Sequence, residues 1–187
     1  MMGRLRRRLV PASVAVGVLG ATLAHGQSVS EAAVKAVYLY KFAPFVNWPA
    51  RAFASATEPF AICVVGADPF GDILDRVVAG QRVEGRPIIV RRMARALATS
   101  GCQIMFVGGS GAQSVESMLR VMHGAPVLTV TDGPAATGVI SFAVEGGRVR
   151  FLVDDQQASE DGLSISSKLL ALALSVKPRN HQAGAHE

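Results

Sequence analysis

Three stretches of this chain carry residues that could do chemistry. Gly66-Ala67-Asp68-Pro69-Phe70-Gly71 follows an apolar run and precedes a helical pattern, where a dinucleotide-binding loop would sit. Its middle glycine is replaced by Asp68, and a carboxylate there repels a pyrophosphate. Gly108-Gly109-Ser110-Gly111-Ala112 approaches a nucleophile elbow, with Ser110 as nucleophile and Asp132 later in the chain. A base is lacking, because His123 precedes Asp132 while His181 and His186 fall in a polar tail. Ser164, Ser166, Ser167 and Lys168 resemble a Ser-Lys arrangement, but the serine would have to stand at 165, which is Ile165. The histidines are scattered and neither cysteine has a partner at metal-ligand spacing. These residues therefore point to no catalytic, cofactor or metal site, and the chain reads as a protein that binds rather than an enzyme.

The two cysteines, Cys63 and Cys102, take their meaning from the amino end. Arg4, Arg6, Arg7 and Arg8 precede an apolar run at 9–23 and then Ala24-His25-Gly26, the pattern of a cleaved secretory signal peptide over 1–26. Pro11, Gly17 and Gly20 break the run, so a membrane anchor is disfavoured and no span remains after cleavage. Export to an oxidising space predicts that Cys63 and Cys102 close into one disulfide; the alternative is two buried thiols. Four of the 19 Lys and Arg leave with the signal, so 15 stand against 14 Asp and Glu. Without a positive field, nucleic-acid binding loses its electrostatic basis, and Arg91, Arg92 and Arg95 read first as a solvated edge.

The elements that must position these residues follow from periodicity. Phe60–Val65 (FAICVV), 86–90 (RPIIV), Ile104–Val107 and 126–130 (PVLTV) are short apolar runs of the kind found in strands covered on both faces. Between them, a helix is expected from an Asp68 cap with Pro69 in its first turn, and another through Val115, Met118, Leu119 and Met122. At 139–153 the rhythm changes to a hairpin turning at Gly146-Gly147. That turn pairs Val144 with Val149, Phe142 with Phe151 and Ile140 with Val153 on one face, which suits a sheet edge. A last helix is expected over 163–176, stopped by Pro178. The fold class is α/β: a single-domain sandwich at 27–177, with a mixed, largely parallel sheet, one antiparallel hairpin and helices on both faces, then a disordered tail at 178–187.

Residues 32–49, AAVKAVYLYKFAPFVNWP, are apolar or aromatic all round a helix, with only Lys35 and Lys41 to face water. Val34, Tyr38 and Phe45 line one side, and Ala36, Leu39, Ala43 and Val46 another. Pro44 should kink or end the helix. The segment is either buried in the core or offers a surface for a partner or ligand, with Tyr38, Tyr40, Phe42, Phe45 and Trp48 as the residues that would meet a partner.

Together with FAICVVGADPFG, VEGRPIIVRR, the cysteine before IMFV, PVLTVTDGPAATGVISF, RVRFLVD and GLSISSKLLALA, this opening resembles the YfiR-like family of exported bacterial proteins. The resemblance implies an α/β sandwich, often dimeric, whose known members are periplasmic repressors. They hold an inner-membrane diguanylate cyclase inactive through its periplasmic sensor domain and are themselves sequestered by an outer-membrane lipoprotein. It also implies that Cys63 and Cys102 match the family's intradomain disulfide, while a second cysteine pair known in the family is missing. The rival reading is a periplasmic small-molecule binding or sensory domain using a pocket beside the strand ends.

Overall fold

The computed structural model describes residues 30–109, 113–133 and 138–180. The leader at 1–26, Ser110 of the elbow, and His181 and His186 of the tail lie outside the described residues.

Helix α1, Glu31–Phe42, starts where the Ser30 hydroxyl accepts a hydrogen bond from the Ala33 amide, with Glu31 complementing the positive end of the helix dipole. Pro44 then stops it: the chain tightens into a 3-10 turn at Ala43–Phe45 and straightens into strand β1, Val46–Asn47. A second short turn, Ala50–Ala52, leads to β2, Phe60–Val65, in which every residue is buried. Then follow α2, Asp72–Val78; β3, Arg82–Val83; β4, Arg86–Met93; β5, Ile104–Val107; α3, Val115–Met122; and β6, Leu128–Asp132. The carboxyl-terminal part contains β7, Ile140–Glu145; β8, Arg148–Asp154; α4, Asp155–Glu160; β9, Ser164–Ile165; α5, Ser167–Leu170; and β10, Ser175–Lys177.

Eight of these strands form one sheet in the order β10-β8-β7-β6-β5-β2-β4-β3, parallel except at β8-β7 and β4-β3. The central strand explains its own composition. Phe60, Ile62 and Val64 enter the core that holds Leu39 and Phe42 of α1, Leu74 and Val78 of α2, and Ala158 of α4. Ala61, Cys63 and Val65 enter the opposite core, with Met118 and Met122 of α3. A strand packed on both faces has no position left for a polar side chain.

The hairpin has the expected register, with Ile140, Phe142 and Val144 opposite Val153, Phe151 and Val149, and Gly146 and Gly147 both take positive φ. It is not the sheet edge, however. Strand β10 pairs in parallel outside β8, and the Leu174 amide donates to the Phe151 carbonyl. This arrangement replaces the helix expected over 163–176, which becomes a strand, a single turn and another strand. Ile165 and Leu169 of its stripe are buried, but Leu172 is 61% exposed, so the helical period is followed only as far as packing supports it. The helix expected from Asp68 begins at Asp72 instead. The Asp68 carboxylate accepts from the Phe70 and Gly71 amides, closing a local turn, and Gly71 takes φ +50° before the helix starts.

Candidate functional site

The aromatic opening and the ISSKLL segment, far apart in sequence, are tied to each other. Val46 pairs with Ile165 and Asn47 with Ser164 in a two-stranded antiparallel sheet, and the Ser166 amide donates to the Phe45 carbonyl. Beyond it, Trp48 donates its indole N–H to the Gln103 carbonyl at 3.2 Å and sets its ring edge-on to Phe60, centroids 5.1 Å apart. The fully buried Gln103 accepts from the Ala61 amide at 2.7 Å and donates to the Ala52 carbonyl at 2.6 Å, so its polar atoms are satisfied inside the core.

Within α1, Ala36, Leu39 and Phe42 recur at three-residue steps and face the sheet. Phe42 is 1% exposed, with its ring centroid 5.2 Å from Phe151, 6.0 Å from Phe142 and 5.7 Å from Tyr38. The expectation that it meets a partner is therefore corrected: Phe42 belongs to the core. Tyr40, Phe45 and Trp48 are half-buried and packed against that core. Tyr38, half-buried as well, lines an open groove.

That groove, about 400 Å³, runs between α1 and α2 and is walled by Ala33, Val34, Val37, Tyr38 and Lys41 with Val77. Val37 is 39% exposed. The sequence reading, which followed the aromatic residues, missed Val37 and Val77. The signal for Val37 was its place one turn after Val34 and before Lys41, on the side of α1 opposite Leu39 and Phe42.

Lys35, expected to face water, is 4% exposed and is the principal charged anchor of α1. Its Nζ donates to both carboxylate oxygens of Asp132 at 2.7 and 2.6 Å and pairs with Glu31 one turn earlier. Burial pushes the lysine pKa down, but the hydrogen bonds and charges of Asp132 and Glu31 outweigh it and leave the group above its ordinary value. Asp132, read in the sequence as a possible partner of Ser110, is thus committed to holding the helix on the end of β6. Asp132→Ala is expected to destabilise the fold by about 3 kcal/mol, the low end for a broken buried pair because Glu31 remains. Lys35→Met should cost less than half as much, since Asp132 and Glu31 are 41% and 54% exposed and rehydrate. Equal losses in urea unfolding would contradict the buried ammonium.

At the strand ends, the loop that resembled a phosphate cradle spends its Phe70 and Gly71 amides on the Asp68 carboxylate. Arg92 of β4 clamps this loop to α2, at 2.7 Å from Asp68 and 2.6 Å from Asp75. The hydrogen bonds it donates to both carboxylates hold the guanidinium charged, while the Arg92 bond draws the Asp75 carboxyl below its usual range. Arg91 donates to the Ser100 carbonyl at 2.9 Å, and Arg95 stays exposed. Gly108 is required here: a Cβ would lie 2.0 Å from the Ala67 carbonyl oxygen. The Ser166 hydroxyl caps α5 by accepting from Leu169, and Lys168 points to solvent, so the Ser-Lys segment serves the helix end.

Cys63 and Cys102 form a disulfide joining β2 to the residues just before β5, with Cα atoms 5.9 Å apart and both side chains buried. Among the described residues, no helix is long and apolar enough to cross a membrane, and no three His, Cys, Asp or Glu side chains are grouped to hold a metal. No curated protein matches the chain. The YfiR/HmsC-like family matches residues 32–174, from the second residue of α1 to the residue before β10. The two paired segments, the disulfide and the whole sheet up to its last strand lie inside that span, and the chain belongs to the YfiR/HmsC-like family.

Proposed function

We propose that the chain is an exported, non-catalytic regulator of cyclic di-GMP signalling in the periplasm. It binds the periplasmic domain of an inner-membrane diguanylate cyclase and holds the enzyme in its off state. Family membership across residues 32–174 carries this reading. The buried Cys63–Cys102 bond supports an oxidising compartment. The open groove on α1 supports action by contact. An outer-membrane lipoprotein that sequesters the chain, and pairing of two copies, belong to the same reading.

The mechanism is a population shift. A protein that binds the inactive conformation of the sensor domain more tightly than the active one lowers the active fraction by that difference in affinity and no more. Deleting the gene in a strain that carries a matching cyclase should raise cellular cyclic di-GMP, and re-expression of the exported chain should restore it. If the nucleotide level stays the same with and without the gene, the repressor reading is wrong.

A further inference from the structure

The groove between α1 and α2 is open, apolar and unmatched in charge. We infer that it receives an amphipathic helix of the regulatory partner, one whose aliphatic stripe fills the groove and whose flank carries a carboxylate. This deepens the proposed function and rests on it.

Three observations select that occupant. The walls are aliphatic except for Tyr38 and the exposed Lys41, so the filling surface must be apolar. Both sides of the groove are helices, whose backbone groups away from the ends are bonded within each helix. They offer no free strand edge for an extended segment to pair with, and recognition has to run through side chains at three- and four-residue spacing. α1 is 12 residues long, about 18 Å at the helical rise of about 1.5 Å per residue, enough for two to three turns of a partner.

Charge separates a foreign partner from a second copy. Around the groove Glu31 is taken by Lys35, Asp72 by Arg76 and Asp75 by Arg92. Among the described residues Lys41 has no carboxylate, only the Tyr40 ring with its centroid 4.9 Å away. A two-fold contact between copies presents each groove with what the groove itself carries: aliphatic groups and one more Lys41. It supplies no free carboxylate and brings like charges together. A helix from another protein, with an acidic residue beside its apolar stripe, satisfies both requirements.

The test uses the full chain in cells, with the deletion strain as reference. Val37→Glu puts a charge in the groove, Lys41→Glu reverses the charge of Lys41, and Lys41→Arg keeps it. Val121→Glu, on α3 at a residue 41% exposed, is the control. With periplasmic abundance and Tm unchanged, Val37→Glu and Lys41→Glu should lift cyclic di-GMP to the deletion level, while Lys41→Arg and Val121→Glu stay at wild type. Wild-type levels in Val37→Glu, in a background where deletion itself raises the nucleotide, overturn the groove and leave the proposed function standing. A deletion without effect removes both. Loss in Val37→Glu with Lys41→Glu silent overturns the acidic flank. A dimer in sedimentation that Val37→Glu dissociates makes the groove a contact between copies and overturns the foreign helix. Lys41→Glu changes an exposed charge and its contact with the Tyr40 ring but no core residue, so the test survives if Val37→Glu is poorly folded.

Discussion

Phe42→Ala is expected to lower the unfolding free energy by about 4 kcal/mol, within the usual range for removing a buried phenylalanine. The ring is 1% exposed and packs against Tyr38, Phe142 and Phe151, which belong to α1 and to the two strands of the hairpin. Its loss removes the transfer free energy of the benzyl group. It also leaves a cavity that three elements cannot close together, because the hairpin strands are held by their ladder and α1 by the Lys35 ion pair. For a domain of this size the loss corresponds to a fall in Tm of about 10 °C. Val37→Ala, on the exposed side of the same helix, should change stability by less than about 1 kcal/mol. The contrast separates the two roles of α1: an aromatic residue that anchors a partner would lose binding and keep its Tm. A Phe42→Ala protein that melts with the wild type would show that the ring lies outside the core.

Removing the disulfide should cost a similar amount through the other state of the chain. Cys63 and Cys102 are 39 residues apart, and closing a loop of that size removes entropy from the unfolded ensemble worth about 4 kcal/mol. The double substitution Cys63→Ala, Cys102→Ala avoids burying new hydroxyls beside Met105 and Met118, which share that core. Its Tm should fall by about 10 °C relative to the oxidised protein, and adding reductant should lower the wild type towards the same value without moving the variant. A wild type that keeps its Tm after verified reduction would show that the bond adds nothing. The disulfide lies in the core under α3 and Phe42 in the core under α1, so the two losses should add when combined.

Much of this architecture was legible because its causes are local. β2 and β5 are continuous apolar runs bounded by Pro59 and Gly66 and by Gln103 and Gly108, and they appear with the expected ends. The hairpin register follows from one Gly-Gly turn and the two-residue period of a strand, which leave a single pairing that puts Phe142 and Phe151 on one face. Pro44 ends α1 because a missing donor acts wherever the residue sits.

The misreadings share the opposite property. Apolar character at 163–176 favours burial without choosing between helix and strand, and β1 and β8 supply the strand partners that decide it. Lys35 looked like a surface lysine, since nothing within α1 announces a carboxylate 97 residues away. Aromatic type does not set exposure in α1; which face of the helix meets the sheet does.

By itself the amino-acid sequence determined the α/β class, the central strands, the hairpin register, the helix break at Pro44 and which two cysteines could pair, because steric rules and periodicity act over short distances and two cysteines admit one pairing. Tertiary structure alone decided that Phe42 is core and Val37 is surface, that Asp132 neutralises Lys35, and that the carboxyl-terminal stripe becomes strands. Each of these depends on which group lies across the interior, and burial rewards or penalises a side chain only after its neighbours are in place.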